Sequence, residues 1–137
     1  MKDSLSFLLT EITNSYRINL EKLMCEIGLH AGQVFVLNSL WETDGQSQAD
    51  LVRNLQVSPP TINNMVVRMA KAGFVELKKC GNDGRLMRVH LTEKGLQIKP
   101  KVEEQWQKLE ETTFSELSEA ERMMVSLLLK KIKKIAA

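Results

Sequence analysis

Little in this sequence can staple a fold, line a membrane or run a reaction. Two cysteines, Cys25 and Cys80, are too few and too far apart for a disulfide framework, which suits a reducing, cytoplasmic setting. Seven glycines and three prolines, with no low-complexity stretch, give no reason to expect linkers or disorder. Aromatic residues are 5% of the chain, so packing falls to Leu, Val, Ile and seven Met, a balance that leans toward helices. No segment approaches the roughly 20 apolar residues of a bilayer span. Glu11 also interrupts the short Leu5–Thr10 run before a signal-peptide core could form, so no membrane partner is expected. Two widely separated histidines stand beside no nucleophile motif, phosphate-cradling glycine loop or paired carboxylates. The reading is a non-enzyme with no catalytic residue, no cofactor and no metal.

What remains is enough for one compact domain: 137 residues, 43% apolar and 26% charged. The formal net charge of +2 is unevenly spread. Residues 1–46 hold 3 basic and 6 acidic side chains, whereas residues 47–94 hold 8 basic and 4 acidic. The middle of the chain is its basic part, as a partner with many negative charges would require.

Hydrophobic spacing gives the elements. Leu5, Leu8, Leu9, Ile12, Tyr16, Leu20 and Leu23 recur at three- and four-residue steps, the stripe of an amphipathic helix that ends at Gly28. A second helical pattern runs from Ala31 to Trp41 and closes at Thr43-Asp44-Gly45. Ser47 with Asp50 forms an acidic capping box that opens a short helix through Leu51, Val52 and Leu55. Ser58 is a good N-cap, and Pro59 fits the first helical position because its missing N–H would have no partner there. The helix that follows turns Ile62, Met65, Val66, Met69 and Ala70 inward and stops at Gly73. Two short helices about three residues apart, the second with a polar outer face, outline a helix-turn-helix.

The period then shortens to two. Val75 and Leu77 alternate with Glu76 and Lys78, and Met87, Val89 and Leu91 alternate with Arg88 and His90. The turn formers Gly81-Asn82-Asp83-Gly84-Arg85 lie between, so the spacing predicts a two-stranded hairpin packed on the preceding helices. Thr92 caps a further helix, which Pro100 should kink or restart. Ser118 and Glu121 make a capping box for a last helix, with Met124, Leu127, Leu128, Ile132 and Ile135 on one face. The terminal helices carry more apolar surface than a small winged domain can cover, and a second copy is the economical cover.

The stretch Asn82-Asp83-Gly84-Arg85-Leu86-Met87-Arg88-Val89-His90-Leu91-Thr92-Glu93-Lys94-Gly95 is similar to the wing signature of the MarR family. That signature has an Asp and an Arg two apart, a strand ending in Leu-Thr, then a charged pair and Gly. Val57-Ser58 through Gly73-Phe74-Val75 resembles the family's recognition helix and its exit into the wing. Leu51, Leu55, Arg68 and Met69 fall where the pattern has leucine-like and basic residues. The resemblance implies a mainly α fold with a small β-hairpin, a winged helix-turn-helix with N- and C-terminal dimerisation helices. Residues 1–30 and 93–137 would form the helical dimerisation region, and 31–92 the DNA-binding region. It also implies a cytoplasmic homodimeric repressor of transcription on double-stranded DNA, relieved by a ligand or an oxidant. A winged module that binds protein without reading DNA is the competing interpretation.

On this reading Pro60, Asn63, Asn64, Val67 and Lys71 share the outward face of the recognition helix. Asn63 and Asn64 suit adenine edges, and Val67 a thymine methyl. Pro59 and Pro60 remove two N–H groups from the helix N-terminus, which shifts phosphate contact to the hydroxyls of Ser58 and Thr61. By family likeness Arg85 enters the minor groove while Asp83 orients it, and a narrow groove does attract Arg. Lys78, Arg88, Arg68 and Lys71 are the expected phosphate contacts. Plain solvated side chains and a surface ion pair are the bland interpretation of the same residues.

For the effector, Cys25 invites an oxidant-sensing role, but the thiols of such relatives sit earlier in the first helix. Cys25, Glu26 and His30 are metal-ligand types in one short stretch, yet the histidines of zinc-responsive relatives are missing after the wing. A small apolar or aromatic ligand is preferred, with Tyr16, His30 and Trp41 as candidate pocket walls and Pro100 as a hinge. Cys80 reads as structural filler and His90 as a surface strand residue.

Overall fold

The computed structural model describes residues 1–81 and 86–136. The elements run α1 (Leu5–Cys25), α2 (Ala31–Glu42), β1 (Gln46–Ser47), α3 (Gln48–Leu55) and α4 (Pro59–Lys71). They continue with β2 (Val75–Cys80), β3 (Leu86–Leu91), α5 (Glu93–Gln97), α6 (Lys99–Phe114) and α7 (Glu119–Ala136). The fold is mainly helical with a small antiparallel sheet, as expected for a winged helix-turn-helix.

Capping chemistry sets the boundaries. Ser47 Oγ accepts from the Asp50 N–H at 3.1 Å, and Asp50 Oδ2 accepts from the Ser47 N–H at 3.1 Å. Ser58 caps α4, with prolines in its first two positions. Ser118 and Glu121 exchange the same pair of bonds at the start of α7, at 3.2 and 2.9 Å. Pro100 does restart the helix: α5 ends at Gln97, and Pro100 lies in the first turn of α6.

The sheet has an additional strand. The two residues of β1 pair with β3, Gln46 opposite Val89 and Ser47 opposite Arg88, so the order is β1-β3-β2. Gln46 is buried although polar, because its amide donates to Ser39 O and Thr43 O while its Oε1 accepts from Asn54. A polar dipeptide with no alternation to betray it is a strand through its pairing with β3, and the side-chain bonds satisfy the buried amide.

The β2–β3 register places Leu77 opposite Val89 and Lys78 opposite Arg88. Val75, Leu77, Val89 and Leu91 therefore face the helices, and Glu76, Lys78, Arg88 and His90 the other side. Gly95 is the tight point of this packing: a Cβ there would lie 2.2 Å from the Phe74 carbonyl oxygen. Only glycine lets α5 come that close to the exit of α4.

The core runs through α2, α3, α4 and the sheet, with Leu37, Leu51, Ile62, Val66 and Val89 fully buried. Val102 and Leu109 of α6 and Leu20 and Met24 of α1 extend it toward the termini. The Gln105 amide ties the two helices, donating to Leu23 O at 2.6 Å and Glu26 Oε2 at 2.7 Å. Beyond that point apolar faces stand open. Leu5, Leu8, Leu9 and Ile12 of α1 are exposed, and α7 buries none of its residues.

Candidate nucleic-acid interface

Helices α3 and α4 are joined by Gln56, Val57 and Ser58, with Gln56 in the left-handed region at φ 55°. That turn leads directly into the Ser58 cap of α4. Ile62, Val66 and Met69 are fully buried, and Met65, expected inward, is half-buried at the rim against Gly32. Pro60, Thr61, Asn63, Asn64, Arg68 and Lys71 are exposed, and Val67 is half-buried at their edge. The outward face read from the helical period is therefore the solvent face.

Neighbours differentiate these side chains. Ser58 Oγ accepts from the Thr61 N–H at 3.4 Å and lies 2.8 Å from Thr61 Oγ1, so the two hydroxyls form one unit at the helix start. Asn63 Oδ1 accepts from the Gln48 amide at 3.4 Å, a residue of α3 that no sequence pattern singled out. Among the described residues nothing holds the Asn64 amide, which leaves both its donor and its acceptor for an outside partner.

The two described wing positions differ as well. Lys78 is exposed and lies 3.6 Å from Glu76. Arg88 is half-buried, and its Nη1 donates to the Gly45 carbonyl at 2.9 Å, binding β3 to the loop before β1. Part of its donor capacity is thus spent inside the protein. Asp83 and Arg85, with the rest of the expected turn, lie outside the described residues.

The three residues expected to wall an effector pocket do not meet. Tyr16 lies on α1 beside Thr112 and Thr113, and burial, then the nearby Glu110 carboxylate, push its phenol up. His30 Nδ1 lies 2.8 Å from Glu21 Oε1 at the start of α2. Trp41 alone lines a sizeable groove, of about 520 Å³ between α2 and α6, with Phe35, Asn38, Lys99, Val102 and Trp106. The scatter follows from helix rotation, since one-dimensional spacing does not say which face of α1 or α2 a third helix will cover.

In that groove Phe35 and Trp106 meet edge to face, 6.2 Å between centroids, and Lys99 Nζ stands 5.8 Å from the Trp41 ring. The Trp41 indole N–H donates to the Gly95 carbonyl at 2.9 Å. One side chain thus touches both the groove and the glycine packed against the exit of α4.

Cys25 is an exposed free thiol. Its hydrogen bond to the Glu21 carboxylate, followed by burial, raises its pKa, which disfavours the thiolate an oxidant sensor needs. Glu26, grouped with Cys25 and His30 in the sequence, is turned instead toward Gln105. Glu21 takes its place beside the other two.

Residues 29–87 match the MarR family model. The HTH-type transcriptional repressor IacR of Pseudomonas putida is 30% identical over 115 residues, covering 84% of this chain and 69% of the relative. The crystal structure of apo wild-type MarR from E. coli superposes with a TM-score of 0.81 at 25% identity, over 94% of this chain and 96% of that one. BpsR of Bordetella bronchiseptica, whose DNA binding is regulated by 6-hydroxynicotinic acid, shares the fold with a TM-score of 0.87 at 21% identity, over 97% and 95%. Among the described residues, no helix is long and apolar enough to cross a membrane. With the helix-turn-helix, the wing strands and a 30% identical relative in agreement, the chain belongs to the MarR family of winged helix-turn-helix, DNA-binding transcription regulators.

Proposed function

We propose that the protein is a cytoplasmic, ligand-responsive repressor that binds a pseudo-palindromic operator as a homodimer. The observation that carries this reading is a polar, basic α4 face left open in a chain whose terminal helices leave apolar faces open too. Residues 1–30 and 93–137 join two copies, and residues 31–92 read DNA. The pairing sets two α4 helices about 34–36 Å apart, one helical turn of duplex.

Within each half-site, Asn64 is the principal base reader, because its amide is free to bond adenine N6 and N7 together. Asn63 contributes once Gln48 releases it, and Val67 offers apolar surface for a thymine methyl. Ser58, Thr61, Arg68, Lys71 and Lys78 take phosphates, with Pro60 shaping the approach of the helix start. Arg88 adds long-range charge more than a direct contact, given its bond to Gly45. Asp83 and Arg85 are assigned to the minor groove on the family likeness.

The effector is a small apolar or aromatic molecule in the groove between α2 and α6. At 21% identity the likeness to BpsR carries the fold, so the ligand reading rests on the groove's own walls. Stacking against Trp41 would disturb its bond to Gly95, and through Gly95 the seat of α4. His30 and Tyr16 are not part of that groove.

Fluorescence anisotropy with duplex from upstream of its own gene tests the reading. Binding should be saturable at one dimer per site and fall steeply with salt, since several phosphates are neutralised at once. Equal affinity for that duplex and for random DNA, or a flat salt response, would overturn it.

A further inference from the structure

We propose that Glu21, Cys25 and His30 form a binding site for a zinc-class divalent cation. Glu21 and Cys25 are four residues apart on α1 and so share a face. His30 arrives from the turn before α2. One donor atom from each lies within 4.8 Å of the other two, with His30 Nδ1 2.8 Å and Cys25 Sγ 3.4 Å from the same carboxylate oxygen, Glu21 Oε1. Donors on a tetrahedral zinc ion with bonds of about 2.0–2.3 Å stand roughly 3.3–3.6 Å apart, so small side-chain rotations seat an ion among these three. An ion seated here displaces the protons that Cys25 Sγ and His30 Nδ1 otherwise share with Glu21 Oε1, releasing them to solvent. The resulting set of thiolate, imidazole and carboxylate favours zinc over magnesium or calcium, which take oxygen donors.

Glu21 is also held the way ligating carboxylates are held. Its second oxygen, Oε2, accepts from the Ala31 backbone N–H at 2.8 Å, which fixes the group and leaves Oε1 to the cluster. Three protein ligands leave a fourth position for water or another donor. All three side chains reach the surface, so entry requires no rearrangement of the core. A bound ion would fasten the end of α1 to the start of α2. His30 also borders a cleft of about 290 Å³ shared with Thr61, Asn64 and Arg68 of α4, so that fastening is felt beside the recognition helix.

The test uses untagged, full-length, metal-free protein titrated with cobalt(II), then with zinc against a chromophoric chelator. One ion per chain is expected, with a near-ultraviolet thiolate-to-cobalt band and a melting temperature that rises with zinc. Cys25→Ser should abolish the band. Cys25→Ser and His30→Ala should each weaken zinc binding at least tenfold, and both positions are exposed, so the variants should fold. Glu21→Gln keeps an oxygen for the Ala31 N–H and should also weaken binding. Cys80→Ser and Glu26→Gln should bind as the parent does. Absence of stoichiometric uptake, survival of the band in Cys25→Ser, or undiminished affinity in His30→Ala would overturn the proposal. The readout is metal occupancy, so the result is independent of whether the chain reads DNA as proposed.

Discussion

The two halves of this molecule use apolar residues in opposite ways. Between Leu29 and Val89 the helices and sheet close over Leu37, Leu51, Ile62 and Val66, all fully buried. At the ends, α7 carries Met124, Leu127, Leu128 and Ile132 at helical spacing and leaves each about half exposed or more. The apolar share is similar in the two regions; the difference is in what stands opposite. The winged half is completed by its own chain, whereas the terminal half has the pattern of an element completed from outside. On the proposed homodimer, stability should therefore divide into a part independent of protein concentration and a part that depends on it.

The largest effect should come from breaking the terminal half. Leu127→Glu with Leu128→Glu places two charges on the open face of α7. The protein should become monomeric by sedimentation velocity, and operator affinity should fall by roughly 10² or more, because the second half-site is no longer bound intramolecularly. A double variant that remains a tight dimer would show that α7 is not the seam. The matching change in the winged half is Leu51→Ala, at a fully buried position. It should cost about 2–5 kcal/mol of stability in denaturant melts. That loss should be similar at low and high protein concentration if the core belongs to one chain.

The halves also differ in how far sequence alone disclosed them. Local chemistry was legible: Ser47 with Asp50, Ser58 before Pro59, Ser118 with Glu121 and the break at Pro100 all lie where spacing puts them. So was the outward face of α4, because one helical period fixes it once Ile62 and Val66 are inward. Features that depend on a distant partner were not. β1 is two polar residues and exists because Val89 and Arg88 lie beside it. Glu21 joins His30 across nine positions, while the nearer Glu26 turns to Gln105 on α6. The groove at Trp41 depends on Lys99 and Trp106, far along the chain, so residue type and a place near the junction of the two regions do not separate Tyr16 and His30 from it.

A smaller effect should separate reading from holding within α4. Asn64→Ala should reduce discrimination between operator and random duplex by about 1–3 kcal/mol while leaving nonspecific affinity nearly intact. Lys71→Ala should weaken both in parallel and flatten the salt dependence by about one phosphate contact. If Asn63→Ala lowers discrimination more than Asn64→Ala, the Gln48 bond does not withhold Asn63, and the order of the two readers is reversed.

The smallest effect addresses the comparison through pH. Asp50 opens a helix of the winged half and Glu121 a helix of the terminal half, and each is lowered chiefly by the backbone N–H of its capping serine, then by that serine's side chain. A carboxylate depressed in the folded state stabilises fully above its ordinary value and loses that contribution as pH falls through its folded value. Both boxes should therefore weaken in acid, and Asp50→Asn and Glu121→Gln should each make the melting temperature less sensitive to pH below about 4. The two should part company on dilution. The Asp50→Asn change should be the same at every protein concentration, because α3 packs within its own chain. On the proposed homodimer the Glu121→Gln change should shrink as the protein is diluted, because an α7 seated by a second copy loses its place, and its capping box with it, when the copies part. Identical behaviour on dilution would mean that α7 is fixed by its own chain, and the contrast between the halves would not hold.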